Sequence, residues 1–210
     1  MSYSYPATLG VVLAGGQARR MGGADKALIR IGGATILERV IACLAPQCRR
    51  LIVNANDDTT RLAASGLAVV ADTVPNRPGP LAGILAGLDF AAEHMAEVAW
   101  MMSAPADCPF LPRDLVERLH RARSEAGALL ACAQSGERRH PVVALWPVSL
   151  RADLRSALER EGVRKVEQWM AAYSVAIADW PTVPVDPFFN VNTPADAAEA
   201  ERIAARYPKI

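Results

Sequence analysis

Short apolar runs alternate with polar or amphipathic segments along the first half of the chain. Four of these runs, rich in Val, Leu, Ala and Met, predict buried strands over residues 9–13, 51–54, 67–71 and 98–103. Helices are predicted between them over residues 35–45, 57–64 and 80–94. This alternation of a strand with a crossover helix is typical of an α/β domain with a parallel sheet.

Local signals predict where two of the helices begin. Thr35 and Glu38 have the spacing of a capping box, so a helix is predicted to start there. Near the end of the chain, Thr193 is a suitable N-cap and Pro194 a suitable first helical residue. A last helix is therefore predicted from this point to about residue 206.

The second half of the chain changes character. Its predicted elements are a helix over residues 112–127, strands over 128–133 and 140–146, and helices over 148–161 and 163–172. The two strands flank a polar turn and predict a hairpin, which adds an antiparallel edge to a mostly parallel sheet. We therefore predict one Rossmann-like domain over residues 1–210, with three layers in the order α/β/α.

The first predicted strand runs directly into a loop rich in glycine and basic residues. Gly15 and Gly16 open this loop, Arg20 follows, and Lys26 closes it. Backbone N–H groups in a glycine-rich turn can approach a polyphosphate closely because no Cβ intervenes, while Arg and Lys neutralise its charge. The spacing fits neither the dinucleotide-binding fingerprint nor the P-loop. The loop therefore predicts a phosphate-binding site of another kind.

Polar residues also follow the later strands. Asn54, Asp72 and Asp107 each come at the carboxyl end of a predicted strand, and in an open parallel sheet ligands bind at that edge. Asp107 stands in a turn bracketed by prolines, and its carboxylate is the hard oxygen ligand that Mg²⁺ requires beside a nucleoside triphosphate. A lone Asp after a strand is also a common turn former, and the phosphate loop opposite favours the metal site.

A proline-rich segment over residues 75–83 precedes the helix at 80–94. Proline removes backbone donors and restricts the residue before it, so this segment cannot begin in regular structure. We predict a rigid lip over a nucleotide base, and a plain junction between a loop and a helix is the alternative.

The phosphate loop resembles the signature of the sugar-phosphate nucleotidyltransferases, which is L-A-G-G, a few residues, R-M-G, two residues and D-K. In this chain those residues lie at 13–16, 20–22 and 25–26. Over nearly its whole length the sequence resembles the molybdenum cofactor guanylyltransferases. The discriminating segments are residues 18–26, 78–83 and 189–194. The last of them, Phe-Asn-Val-Asn-Thr-Pro, is what points to this family in particular.

The resemblance implies a nucleotide-binding half over about residues 7–110 and an acceptor-binding half over about 111–210. Together with the phosphate loop it places the GTP contacts on Leu13, Ala14, Gly15, Gly16, Lys26, Asn54, Asp72 and Asp107. It places the Mg²⁺ ligand on Asp107 and the pterin-side contacts on Asn190 and Asn192. Relatives often carry Cys or Asp just before the metal ligand, whereas Ala106 stands here. Phosphate oxygens and water are therefore expected to complete the Mg²⁺ shell.

The implied reaction transfers GMP from GTP to the terminal phosphate of molybdopterin, metal-loaded or metal-free, and releases pyrophosphate. The expected catalytic residues are Arg20, Lys26 and Asp107. Lys26 is expected to stabilise charge at the α-phosphate, and Asp107 to hold Mg²⁺. Arg20 and the amides of Gly15 and Gly16 are expected to bind the departing β- and γ-phosphates. No general base is needed, because a phosphate nucleophile is already ionised at neutral pH.

Composition and charge limit the binding partners and the cellular location that we expect. The formal net charge is +1, so neither nucleic acid nor a membrane surface is expected as a partner. The four cysteines and three histidines lack metal-ligand spacing. The amino terminus lacks the pattern of a signal peptide, and no window has the length of a membrane-spanning helix. We expect a cytoplasmic monomer that uses GTP and molybdopterin, with other cofactor-biosynthesis proteins or molybdoenzyme apoproteins as its candidate protein partners.

Two other interpretations stay open at this point. A molybdopterin cytidylyltransferase, or another small-molecule nucleotidyltransferase, would use the same phosphate loop, because that loop does not touch the base. A nucleotide or cofactor carrier without chemistry is the non-enzymatic alternative, although a carrier could dispense with Asp107. Turnover of bound GTP separates the carrier from the enzymes.

Overall fold

The computed structural model describes residues 4–15, 26–56, 60–74 and 79–208. These residues form nine strands, which are β1 (Thr8–Leu13), β2 (Arg30–Ile31), β3 (Ala34–Thr35), β4 (Arg50–Asn54), β5 (Ala68–Val70), β6 (Trp100–Pro105), β7 (Leu130–Ser135), β8 (Arg138–Pro147) and β9 (Val175–Trp180). Seven of them form one sheet in the order β5-β4-β1-β6-β8-β7-β9, and β2 pairs with β3 separately.

The sheet is mostly parallel, as predicted. β1 pairs in parallel with β4 on one side and β6 on the other, and β5 extends the parallel set beyond β4. β8 is antiparallel to both β6 and β7, whereas β9 is parallel to β7. The predicted hairpin of β7 and β8 is confirmed. Its antiparallel strand, β8, lies inside the sheet and not at the edge, because it pairs with β6 on one side and with β7 on the other.

Six α-helices cover the two faces of the sheet within the described residues. They are α1 (Ile36–Leu44), α2 (Pro80–His94), α3 (Leu115–Ala126), α4 (Arg151–Glu159), α5 (Val166–Met170) and α6 (Pro194–Arg206). Buried side chains of α1, α3 and α6 belong to one hydrophobic cluster, and those of α2, α4 and α5 belong to a second. β1 supplies Val12 to the first cluster and Val11 to the second. The sheet is therefore the middle of three layers, which confirms the predicted architecture.

The predicted helix starts at Thr35 and Thr193 are confirmed. In α1 the Thr35 hydroxyl accepts the Glu38 N–H, and the Glu38 carboxylate accepts the Thr35 N–H. In α6 the same reciprocal pair links Thr193 and Asp196. Each box satisfies N–H groups that the first turn of a helix otherwise leaves without partners.

Some elements differ from the prediction. The helix predicted over 57–64 is a 3-10 helix, Thr60–Ser65, in its described part, and the one predicted over 163–172 is reduced to α5. β9 is not among the predicted elements. None of the helices in the four described ranges combines the length and the apolar character needed to cross a bilayer.

Candidate active site

The four parallel strands β5, β4, β1 and β6 end at one edge of the sheet, and there the first loop is held from both sides. Ala14 donates its N–H to the carbonyl of Asn54 at 2.9 Å, while the carbonyl of Leu13 accepts the N–H of Ala106 at 3.0 Å. β1 stands where the order of the strands changes direction, which is the place where open α/β sheets bind ligands. The phosphate loop therefore leaves the sheet at its binding edge.

Only part of the predicted phosphate grip lies in the described ranges. Gly16 and Arg20 lie outside the described residues. Gly15 lies inside them, and a Cβ on it would have Asn54 Oδ1 at 3.7 Å and Asn56 Nδ2 at 3.9 Å as neighbours. The loop therefore begins directly beside the polar side chains at the end of β4.

A carboxylate held by two amides forms the β5 side of the site. Asn54 donates Nδ2 to Asp72 Oδ1 at 2.9 Å and to the carbonyl of Val70 at 3.1 Å. Asn56 donates Nδ2 to Asp72 Oδ2 at 2.7 Å and accepts the Asp72 N–H at 2.7 Å. Asn54 is buried, whereas Asp72 is half-buried. Both carboxylate oxygens of Asp72 are thereby fixed in direction.

Helix α2 reaches this edge because glycine lies at the contact. A Cβ on Gly83 would clash with Asn54 Oδ1 and would lie 2.8 Å from Leu13 Cδ2. One turn later, a Cβ on Gly87 would lie 2.6 Å from Val11 Cγ2. Of the predicted lip, residues 75–78 lie outside the described residues, and the rest forms the start of α2 packed against the site.

Asp107 follows β6 at the same edge, with a half-buried side chain. Burial raises the pKa of its carboxyl, and the nearby Lys26 ammonium opposes that shift. Asn190 donates Nδ2 to Asp107 Oδ1 at 3.4 Å, and the Cys108 thiol lies 3.9 Å from the same oxygen. A half-buried carboxylate at this edge of the sheet is suited to bind a cation.

Lys26 begins the first described element after the loop, a 3-10 helix over Lys26–Leu28. Its ammonium donates to Asn192 Oδ1 at 2.7 Å, across a separation of 166 residues. An ammonium has three donors, so this bond leaves two for an anionic ligand. A predicted catalytic residue and a predicted acceptor residue are therefore in direct contact.

The segment that carries both asparagines, residues 186–193, is here named the tail strap. Val191 donates its N–H to the carbonyl of Asp107 at 2.9 Å, which ties the strap to the turn after β6. On either side of this bond, Asn190 contacts Asp107 and Asn192 contacts Lys26. The strap thus links the two charged residues of the site.

The far end of the tail strap is anchored on the β7–β8 hairpin. Asp186 Oδ1 accepts the Ser135 hydroxyl at 2.8 Å and the Phe188 N–H at 3.0 Å. His140 Nε2 lies 2.9 Å from the Ser135 oxygen, and it is the donor because the hydroxyl proton goes to Asp186. The serine lies between the acid and the imidazole, so this is not a nucleophilic triad. The network holds the strap in place.

The donor set around Asp107 fits a hard divalent ion shared with a polyphosphate. Within the described ranges no group of three or more His, Cys, Asp or Glu side chains could hold a metal by itself. Ala106, just before Asp107, is buried and offers no side-chain ligand. Mg²⁺ is commonly held by one or two carboxylates while substrate phosphates and water supply the remaining ligands. A single carboxylate beside a phosphate loop meets that description.

Two residues of this site were missed by the sequence analysis. Asn56 orients Asp72, and its signal is the Asn-Ala-Asn alternation that follows the second buried strand. Asp196 bonds the backbone N–H of Asn192 at 2.9 Å, and its signal is the capping-box spacing from Thr193. Both act on a predicted residue and not on a ligand, which is why the ligand-directed patterns did not select them.

Comparison with known proteins gives the family. Residues 10–176 match the MobA-like NTP transferase domain. A protein named molybdenum cofactor guanylyltransferase from Nitrobacter hamburgensis is 60% identical over 205 residues, which cover 98% of this chain and 98% of that one. The match therefore extends through the tail strap and α6, beyond the limits of the domain itself.

Solved structures share the fold at lower identity. Molybdopterin-guanine dinucleotide biosynthesis protein A from Archaeoglobus fulgidus has a TM-score of 0.72 at 24% identity, covering 95% of this chain and 99% of that one. A Mycobacterium tuberculosis protein solved in complex with manganese has a TM-score of 0.67 at 16% identity, covering 95% of this chain and 100% of that one. Both likenesses support the three-layer architecture.

Proposed function

The chain belongs to the MobA-like NTP transferase family and, within it, to the molybdenum cofactor guanylyltransferases, and on that premise we propose how its residues carry out the reaction. The enzyme transfers GMP from GTP to molybdopterin and so forms the guanine dinucleotide cofactor. In the proposed step, the terminal phosphate of molybdopterin attacks the α-phosphorus of GTP in line, and the bond to pyrophosphate breaks.

The GTP is proposed to lie over the ends of β1, β4 and β5. Asn54 and Asp72 are the proposed nucleoside contacts, because their polar atoms are fixed at that edge by mutual hydrogen bonds. Leu13, Ala14 and Gly15 supply the start of the phosphate loop. Gly16 and Arg20 are proposed, from the loop sequence alone, to bind the β- and γ-phosphates.

Lys26 and Asp107 are the proposed catalytic residues. Both reactants are anions, so much of the barrier lies in bringing like charges together in the right geometry. Lys26 neutralises charge at the α-phosphate with the two N–H donors that its bond to Asn192 leaves. The attacking phosphate is already ionised, so the site needs no general base.

A divalent metal is expected of this family, and we propose Mg²⁺. Asp107 would hold it through its carboxylate, with Asn190 fixing Oδ1 of that carboxylate. When bound, the ion supplies positive charge beside the phosphates during transfer. A structural neighbour solved in complex with manganese supports a divalent ion in proteins of this fold.

The tail strap is proposed to form the acceptor side, as part of an acceptor-binding half over about residues 111–210. The side-chain oxygen of Asn192 is engaged by Lys26. Its Nδ2 has no hydrogen-bond partner within residues 4–15, 26–56, 60–74 and 79–208, so this group is a donor for the acceptor phosphate. Asn190 and Asn192 thus border the nucleotide site and the acceptor site together.

One observation carries the proposal. Lys26 and Asp107, which are far apart in the sequence, lie close enough for their charges to interact, under one strap at the binding edge of the sheet. A carrier needs neither the metal carboxylate nor its coupling to the ammonium.

The test is pyrophosphate release with Mg²⁺ and each of GTP, CTP, ATP and UTP, with and without molybdopterin. Release with GTP alone, and only when molybdopterin is present, is the expected result. Pyrophosphate release with CTP would support the same transfer mechanism in a cytidylyltransferase, whose product is a cytosine dinucleotide. No release under any condition would favour the carrier.

A further inference from the structure

Helix α6 contacts the segment that leaves the phosphate loop at two points. Two residues before the helix begins, Asn192 Oδ1 of the tail strap accepts a hydrogen bond from the Lys26 ammonium at 2.7 Å. Within the helix, Glu201 Oε2 accepts the N–H of Gly32, in the turn between β2 and β3, at 2.8 Å. The last helix of the chain therefore braces the segment that begins with Lys26.

The capping box of α6 makes one hydrogen bond more than a capping box requires. Asp196 Oδ2 accepts the Thr193 N–H at 2.8 Å, as a capping box requires, and also the N–H of Asn192 at 2.9 Å. In the box of α1, Glu38 Oε2 accepts the Thr35 N–H at 2.6 Å. The additional bond in α6 reaches the residue whose side chain binds Lys26.

We infer that Asp196 is a positioning residue for the guanylyl transfer: its carboxylate fixes the backbone of Asn192, and the Asn192 amide oxygen then fixes the Lys26 ammonium. This inference rests on the proposed catalytic role of Lys26. It goes beyond that role because it assigns the orientation of the ammonium to a carboxylate that touches neither substrate.

A lysine needs such a restraint more than most side chains. Its four-carbon stem has many rotamers, and ordering them costs conformational entropy. Before substrate binds, the hydrogen bond from the Lys26 ammonium to Asn192 Oδ1 selects the rotamers in which the ammonium lies beside the tail strap. Misplacing a catalytic group by about 1 Å can cost about a hundredfold in rate.

The charge state of Asp196 is compatible with this role. The hydrogen bond from the Asn192 backbone lowers the pKa of the Asp196 carboxyl, and the Thr193 hydrogen bonds and the Lys26 charge act in the same direction. Arg202 and Glu199 on the same helix pair with each other. The carboxylate is therefore ionised throughout the neutral range, and the restraint on Asn192 does not switch off there.

The first experiment compares Asp196→Ala with Glu38→Ala in the full chain. Each variant removes the carboxylate of one capping box, so both are expected to lower the melting temperature to a similar extent. Only Asp196→Ala is expected to lower kcat, by about ten- to a hundredfold, with a smaller change in KM for GTP. Equal kcat values in the two variants would overturn the inference, because they would show that the α6 box acts on stability alone.

The second experiment is a double-mutant cycle with Lys26→Ala. If Asp196 acts through Lys26, then adding Asp196→Ala to Lys26→Ala changes kcat by less than about twofold. Losses that multiply in the double variant would contradict the relay. Asp196→Asn keeps an acceptor oxygen, so it is expected to retain more activity than Asp196→Ala. If Asp196→Ala does not fold, Asp196→Asn takes its place in the double-mutant cycle.

The outcomes separate this inference from the proposed function. A wild-type chain that releases no pyrophosphate from GTP and molybdopterin refutes the function itself. A wild-type chain that is active, with Asp196→Ala equal to Glu38→Ala in kcat, refutes only the positioning role.

Discussion

The two ends of β1 both carry buried polar groups, and they use them in opposite ways. At the amino end, Thr8 is 1% exposed and bonds His120, which is 3% exposed. At the carboxyl end, Asn54 and Asp107 lie at the edge of the sheet where we propose that GTP binds. In the first set Thr8 and His120 bond each other, and the buried Nδ1 of His120 has no hydrogen-bond partner among the described residues. The second set places an amide and a carboxylate at the carboxyl edge of the sheet.

The amino end is closed by aromatic packing. Tyr5 stacks on His120 with ring centroids 5.4 Å apart, and Trp100 meets the same ring edge-on at 5.6 Å. The Thr8 hydroxyl donates its proton to the carbonyl of Pro6, so it accepts a hydrogen bond from His120 Nε2. In the neutral imidazole Nε2 therefore carries the proton and Nδ1 does not. The aromatic packing at the amino end therefore stabilises the fold. At the carboxyl end, burial raises the pKa of the carboxyl of Asp107, a proposed catalytic residue, and this burial costs stability.

The largest effect is expected from Asp107→Ala. Removing the proposed metal ligand should lower kcat by about a hundredfold or more, because no other described side chain there can replace it. The melting temperature should stay the same or rise, since a partly desolvated carboxylate is removed. Steady-state kinetics and thermal unfolding measure the two effects, and near-normal Mg²⁺-dependent turnover would contradict the metal assignment.

Lys26→Ala is expected to lower kcat by roughly a hundredfold through loss of charge at the α-phosphate. Arg30→Ala is the matched control, because Arg30 is a nearby exposed cation that bonds the carbonyl of Gly33. The control should keep kcat within about twofold. Equal losses in both variants would mean that general positive charge, and not the placed ammonium, accounts for the effect.

At the closed end, acid should destabilise the fold through His120. Burial lowers the pKa of His120 to about 4, from an ordinary value near 6.5. Between these values the unfolded chain binds more protons than the folded chain, so the free energy of unfolding falls as the pH drops from 6.5 towards 4. The slope from this group approaches about 1.4 kcal/mol per pH unit, and below pH 4 it disappears.

His120→Phe is the control for this pH effect. The variant keeps a ring between Tyr5 and Trp100 and removes the titrating group. As the pH drops from 6.5 towards 4, the free energy of unfolding of the wild type should therefore fall relative to that of the variant. Chemical denaturation at several pH values measures the difference. Parallel curves between pH 4 and 6.5 would refute the assignment.

The smallest effect is expected from Thr8→Val. The variant removes the hydroxyl that bonds Pro6 and leaves His120 Nε2 without its acceptor, which should cost about 1–2 kcal/mol of unfolding free energy. Catalytic turnover should not change, because the whole length of β1 separates Thr8 from the phosphate loop. A loss of kcat without a loss of stability would show that the two ends are coupled.

Local signals explain what the sequence could predict. The capping box at Thr35, the start of α2 at Pro80 and the start of α6 at Pro194 depend on a few adjacent residues, and each agrees with the structure. The apolar strands β1, β4 and β6 are buried on both faces, so their composition alone marks them. Asp72 and Asp107 were selected because strand ends share one edge of a parallel sheet.

Long-range pairing explains what the sequence could not predict. β9 is defined by its register on β7, from Leu130 against Val175 to Ser135 against Trp180, and strand formation depends strongly on such tertiary context. The interior position of β8 follows from another long-range pairing, that of β8 with β6. The contact of Lys26 with Asn192 was likewise out of reach, because nothing near either residue specifies the other.

That contact has a consequence for how the protein is made. Lys26 leaves the ribosome 166 residues ahead of Asn192, so the segment that begins with Lys26 is synthesised well before the tail strap and α6. Domains fold during synthesis from the amino end, so β1 and β4 can begin to pair while the restraint on Lys26 is still missing. A chain truncated ahead of the tail strap would therefore carry a complete phosphate loop whose lysine has no partner in Asn192. The ammonium of Lys26 can be restrained in this way only after Asn192 has been translated.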